Sequence, residues 1–205
     1  MMLQVTPPVF SQPDQHQAAL AFLRDHSYVI LISQGVQNLD RIEARRHLRL
    51  VVCDFLSAAF QVPLSAVEIS SIPGEAPSAF VEGKELAISM SYDEDYAIAA
   101  LHLHRRIGID IAASLADFDW RAVAQLYLGE DLVLAIEKRS AHENLQQQAN
   151  VFLSHWLRHE AKLKCCGLVL QEWSQELENQ LEICQFLLVP TPNAPFIACA
   201  IGADI

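Results

Sequence analysis

In this chain the strand-like runs and the helix-like runs come in blocks, and that order constrains the fold more than any single motif does. A first helix is expected after Asp14, through Ala18, Ala19, Phe22 and Leu23. Tyr28-Val29-Ile30-Leu31-Ile32-Ser33 is rich in β-branched residues and reads as a buried strand. Asn38 or Asp40 can start a long helix to about Phe60, because Leu48, Val51, Val52, Phe55, Leu56 and Ala59 recur with helical period. Strands follow in pairs. Val67–Ile69 and Ala79–Val81 flank Pro73-Gly74-Glu75-Ala76-Pro77; Leu86–Ser91 and Tyr96–Leu103 flank Tyr92-Asp93-Glu94-Asp95; Ile107–Ile111 comes next. Then come helices: one capped by Asp117 through Trp120, Val123 and Leu126, one after Gly129, and a long one from about Glu143 to Cys166. Ile183–Val189 and Phe196–Ile201 close the chain as a hairpin across Pro190-Thr191-Pro192-Asn193-Ala194-Pro195. Regular alternation would predict a parallel βαβ sheet. This order predicts an α+β fold of two similar lobes, 1–106 and 107–205, in pseudo-twofold arrangement, each with antiparallel strands packed on a long helix.

Composition narrows the function classes. The formal net charge is -11, which disfavours a nucleic-acid partner, since binding a phosphate backbone calls for net basic character. Anions remain accessible through a local basic patch or a metal ion. Arg41, Arg45, Arg46 and Arg49 form such a patch on the long N-terminal helix, though a solvated helix face reads equally well. The five cysteines include no Cys-x-x-Cys pair, so they are expected to be reduced and mostly buried in a cytoplasmic protein. Met1 to Gln12 lacks the pattern of a signal peptide, and no apolar run reaches membrane-span length, so no membrane partner is expected.

Two segments carry chemistry. In Trp156-Leu157-Arg158-His159-Glu160-Ala161-Lys162-Leu163-Lys164-Cys165-Cys166-Gly167, the residues Trp156, Glu160 and Lys164 fall four apart, along one helix face. Glu160 can hold a metal or take a proton, and Lys164 can meet a phosphate. Alone, the pair also reads as an ordinary surface ion pair. In Gly108-Ile109-Asp110-Ile111-Ala112, Asp110 points opposite to Ile109 and Ile111, so if those enter the core Asp110 faces a cleft. Asp110 and Glu160 together suit Mg²⁺, which takes one or two carboxylates plus waters and substrate phosphates; the alternative is that Asp110 caps a turn. His102 and His104 alternate along a strand and read as a half-exposed edge. There is no Gly-rich phosphate loop, nucleophile elbow or His-Glu-x-x-His.

With these residues the chain resembles the 4'-phosphopantetheinyl transferases. Their Gly-x-Asp is matched by Gly108-Ile109-Asp110, and their Trp-x-x-Lys-Glu-Ala-x-x-Lys-x-x-Gly by Trp156 through Gly167. Their Ser-His corresponds to Ser89-Met90, their Gly-Lys-Pro turn loosely to Gly74-Glu75-Ala76-Pro77, and an Arg-x-x-Leu-Arg of the N-terminal helix to Arg45-Arg46-His47-Leu48-Arg49. The resemblance covers about residues 41 to 170, and the length matches the two-lobe monomeric type.

The resemblance implies transfer of 4'-phosphopantetheine from coenzyme A to a serine of an acyl or peptidyl carrier protein, releasing 3',5'-ADP. Asp110 and Glu160 would hold Mg²⁺ at the lobe interface. Glu160 would accept the serine proton, directly or through a water, and Lys164 would stabilise phosphate charge. Arg45, Arg49, Ser89, Met90 and His159 would join Lys164 in binding coenzyme A. Four positions depart from the pattern: Met90 replaces a His, Ala112 an acid, His159 a Lys, and Ala76 stands near the turn Lys. Met cannot donate a hydrogen bond to a phosphate, and His159 would be cationic only part of the time near neutral pH. The departures leave open a non-catalytic relative that binds coenzyme A or a carrier protein.

Overall fold

The computed structural model describes residues 7–70, 76–112, 119–139, 145–189 and 195–205. It is an α+β fold with two sheets. The elements run β1 (Val9–Ser11), α1 (His16–His26), β2 (Tyr28–Gln34), α2 (Arg41–Phe60), β3 (Val67–Ser70), β4 (Ser78–Val81), β5 (Lys84–Asp93), β6 (Tyr96–His102) and β7 (Arg105–Ala112). There follow α3 (Trp120–Tyr127), α4 (Glu130–Arg139), α5 (Leu145–Cys166), α6 (Gln175–Leu181), β8 (Gln185–Val189) and β9 (Phe196–Asp204). A six-stranded sheet has the order β1-β2-β6-β5-β4-β3, antiparallel except for the edge pair β1-β2. A three-stranded antiparallel sheet has the order β7-β9-β8.

Side-chain alternation sets the layers. On β2, Val29 and Leu31 join a core with Ala44, Leu48, Val52, Phe55 and Leu56 of α2. Ile30 and Ile32 point the other way, against Ile107, Ile109 and Ile111 of β7 and Ile197, Cys199 and Ile201 of β9. The period of two thus buries both faces of β2, which explains its unbroken apolar run. Leu153, Leu157, Ala161 and Cys165 of α5 cover the outer face of the small sheet at Ala198 and Ala200. The layers are therefore α2, large sheet, small sheet, α5.

Local signals explain most element ends. Asp40 accepts hydrogen bonds from the backbone N–H groups of Ile42 and Glu43, and the Glu43 carboxylate accepts one from Asp40 N–H, a complete capping box for α2. The caps of α1 and α3 differ from the expected ones. Gln15 precedes α1 without a side-chain cap, so Asp14 does not start it. Asp119 caps α3 by accepting from Arg121 N–H, whereas Asp117 lies outside the described residues. The turn residues Pro73 to Glu75 and Pro190 to Ala194, and the expected start of α5 at Glu143, also lie outside them. The short β1 and α6 have no counterpart in the sequence pattern; Leu177 and Leu181 of α6 pack on Leu163.

His102 ends β6 rather than lying along a half-exposed edge. Its buried Nδ1 accepts from the backbone N–H groups of both His104 and Arg105, at 3.1 Å each, and so holds the bend that carries the chain from the large sheet into the small one. Tyr28 stacks on its ring. Burial, with Arg105 and His104 adding, pushes the His102 pKa down to about 4, while Asp204 opposes the shift.

The five cysteines are free thiols. Cys166 Sγ and Cys184 Sγ lie 3.3 Å apart, and burial first, then this contact, push the Cys166 thiol up to about 12. Among the described residues no helix is long and apolar enough to cross a membrane.

Candidate functional site

The site grows from one close approach of backbones. At Gly108 an added Cβ would strike the carbonyl oxygen of Ala161 and come within 2.5 Å of Cys165 N. Only glycine lets α5 lie this close to β7. That contact brings the last turns of α5 over Asp110, which shares the Gly108 side of β7. Lys164 Nζ then lies 2.7 Å from Asp110 Oδ1 and 3.1 Å from Ser91 Oγ, and Ser91 Oγ donates to Asp110 Oδ1 at 2.6 Å. Glu160 sits one turn before Lys164. Burial raises its pKa first, the neighbouring Asp110 carboxylate raises it further, and the Lys164 ammonium partly counteracts both.

The serines come from β5, whose odd-numbered side chains face the small sheet. Ser89 Oγ accepts from Ile109 N–H at 3.1 Å and ties the large sheet to β7. Ser91 was not singled out by the sequence, although its spacing of two from Ser89 places it on the same strand face. The even-numbered Met90 and Tyr92 face the α2 side, where Tyr92 Oη contacts Met90 Sδ at 3.5 Å. Burial pushes Tyr92 up to about 12, against the pull of Arg49 and Arg45. Arg45 lines the same cleft as Tyr92. The Nε of Arg49 is buried with no hydrogen-bond partner among the described residues.

Two clefts meet at this point. One, of about 520 Å³, is lined by Arg41, Arg45, Met90, Ser91, Tyr92 and Lys164, among others. The other, of about 450 Å³, is lined by Ala76, Pro77, Ser89, Met90, Lys164 and Gly167, among others. Met90 and Lys164 are common to both. The clefts thus gather Lys164, Ser89, Met90 and Arg45, with Asp110 bonded to Lys164, while Glu160 and Arg49 line neither cleft. Gly74 and Glu75 of the expected turn lie outside the described residues.

His159 stands apart from this group. It lines a third cleft, of about 640 Å³, with His155, Arg158, Lys162 and residues of α4 and α6. Successive helical residues are turned by a fixed angle, so Glu160 and His159 face different neighbours. Burial, then the Lys162 charge, push the His159 pKa down to about 4. The ring is held neutral at pH 7, so it supplies no cation.

The acidic donors at this point are Asp110, whose Oδ1 already carries Lys164 Nζ, and its neighbour Glu160. Among the described residues no group of three or more His, Cys, Asp or Glu could hold a metal. Mg²⁺ asks for less, since two carboxylates with waters and phosphate oxygens complete its octahedron. Asp110 raises the proton affinity of Glu160, and a cation between them would relieve the same repulsion. No protein-family model matches this chain, and no curated protein matches it.

Proposed function

We propose that this chain is a 4'-phosphopantetheinyl transferase, which moves the phosphopantetheine arm of coenzyme A onto a serine of an acyl or peptidyl carrier protein. The observation that carries the reading is the position of Lys164: it pairs with Asp110, follows Glu160 by one turn, and lines both clefts. A ligand with a phosphate-bearing middle and an arm on each side suits such a place.

In this reading Asp110 and Glu160 hold Mg²⁺, which when bound supplies charge neutralisation at the pyrophosphate. Lys164 turns its ammonium to the same phosphates. Arg45 and Arg49 offer donors from α2, and the unpartnered Nε of Arg49 has an acceptor to gain. Glu160, whose proton affinity burial and Asp110 raise, takes the serine proton directly or through a water. The serine oxygen forms a bond to the phosphorus of the arm, the bond to the bridging oxygen breaks, and 3',5'-ADP leaves with that electron pair. Positioning and charge carry such a step.

The reading also treats the two sheets as two similar lobes in pseudo-twofold arrangement, dividing at about residue 106. The large sheet with α2 is one and the small sheet with α5 the other. The protein then acts as a cytoplasmic monomer.

One observation favours a second reading, a non-catalytic relative that binds coenzyme A or a carrier protein. Asp110 Oδ1 is already engaged by both Lys164 and Ser91, and Met90 offers no donor to either cleft. Thermal melts with coenzyme A test binding in both readings. A midpoint that rises with coenzyme A and Mg²⁺, and much less when Mg²⁺ is chelated, supports the transferase site. A rise indifferent to Mg²⁺ supports the second reading, and no rise at millimolar coenzyme A counts against both.

A further inference from the structure

The third cleft lies on another side of α5 from Asp110 and contains buried polar groups that the proposed transfer does not use. Lys162 is 7% exposed and lines it, yet among the described residues its ammonium makes no hydrogen bond or ion pair. His159 is 5% exposed and lines it too, with Nε2 buried and without a partner among the described residues. A buried ring nitrogen without an acceptor is costly to keep, because burial strips its water, and the Lys162 ammonium beside it keeps some solvent contact but has no acceptor among the described residues. The volume, about 640 Å³, falls in the range of small-molecule sites.

The walls narrow the ligand. Leu132, Leu181 and Trp173 are apolar. Trp173 is fixed from two sides: its backbone N–H donates to Leu126 O at 2.9 Å, and its ring packs on Gly129, where a Cβ would meet it at 3.0 Å. Gly129 has φ +88°, just before the first turn of α4. Glu130 and Asp131 are exposed at the rim, with Glu178 half-buried beside them. Three carboxylates, Glu130, Asp131 and Glu178, outnumber the two lining cations, Arg158 and Lys162, which disfavours a dianion or a polyphosphate and admits a single negative charge.

We propose that this cleft binds a small monocarboxylate with an apolar or aromatic body, its carboxylate against Lys162 and His159 and its body against Leu132, Leu181 and Trp173. The proposal is independent of the transfer reading, since it uses neither Asp110 nor Lys164. Its distinguishing consequence concerns the free protein. If Lys162 is kept for a ligand, Lys162→Met, which preserves length and removes the unpaired charge, makes the ligand-free protein more stable.

The test compares thermal melts of the wild-type chain and Lys162→Met in sodium benzoate, sodium phosphate and sodium chloride at equal ionic strength. The expected result is a wild-type midpoint that rises with benzoate beyond chloride. Lys162→Met should have the higher ligand-free midpoint and need about tenfold or more benzoate for the same rise. In ¹H–¹⁵N spectra the Trp173 indole resonance, assigned by its loss in Trp173→Phe, should shift with benzoate in the wild type. A lower ligand-free midpoint for Lys162→Met would overturn the proposal, as would equal benzoate responses in both proteins or no response in either. Phosphate acting as strongly as benzoate would overturn the carboxylate assignment.

Discussion

Lys164 and Asp110 form an ion pair of 2.7 Å across 54 positions of sequence, joining the end of α5 to the middle of β7. The Asp110 side chain is 12% exposed and that of Lys164 30%. The pair is therefore shielded enough to matter, and removing one partner leaves the other desolvated. Asp110→Ala or Lys164→Met should each cost about 1–3 kcal/mol of stability. The double variant should cost less than the sum. Urea denaturation of the three proteins measures this coupling; strictly additive losses would mean that the pair contributes nothing to the fold.

Gly108→Ala should be among the most damaging single substitutions in the chain. The added Cβ meets backbone atoms of Ala161 and Cys165, which cannot rotate away as a side chain can. Overpacking of this kind typically costs about 1–3 kcal/mol and here should reach or exceed the upper end. A chemical denaturation midpoint near that of the wild type would show that α5 does not lie as close to β7 as described.

His102 should make the fold acid-sensitive. Its pKa is lowered in the folded state to about 4, from an ordinary 6.5. The unfolded chain therefore binds more protons than the native one between those values. Stability should fall as pH drops from about 6.5 toward 4, then fall no further from this group. His102→Gln should flatten part of the pH dependence, while itself costing about 1–3 kcal/mol at pH 7 through weakened bonds to His104 and Arg105. Denaturation midpoints at several pH values read both effects; identical pH profiles for the two proteins would contradict the assignment.

The strands and long helices were legible because each carries a local signal strong enough to survive packing. The capping box at Asp40 and Glu43 marks the start of α2, and the β-branched run of β2 marks a strand buried on both faces. The α+β class followed from their order. Asp14 failed as a cap because a capping residue must also sit at the right backbone position, which spacing alone does not reveal. Asp110, Glu160 and Lys164 stand out in the sequence because two of them share a helix face and the third alternates with core isoleucines, and the structure pairs Lys164 with Asp110. The resemblance groups His159 with them, yet one residue of helical rotation turns it to α4 and α6. Which element covers each face of α5 is decided by tertiary packing. Ser91 escaped notice for a similar reason: its role depends on β5 lying beside β7, a pairing between separate sheets.

Met90 and Ala112 predict separable gains. Met90 lines both clefts, so Met90→His should place a ring nitrogen where the transfer reading puts the phosphates. A charge-assisted bond there is worth about 1.5–3 kcal/mol of coenzyme A affinity. Ala112 lies two residues after Asp110 on β7, so Ala112→Glu adds a carboxylate on the same strand face and should tighten Mg²⁺ instead. Calorimetric titrations with each ligand separate the two; a Met90→His protein with unchanged coenzyme A affinity would place the phosphates elsewhere.

The most direct test of the transfer reading is mass spectrometry of an apo-carrier protein incubated with coenzyme A, Mg²⁺ and this chain. The account predicts that the carrier gains the mass of one phosphopantetheine on its serine. It also predicts that Glu160→Ala abolishes the gain while the protein stays folded, since alanine is a strong helix former in α5. Full transfer by Glu160→Ala, or no transfer by the wild-type chain to any of several carrier proteins, would contradict it.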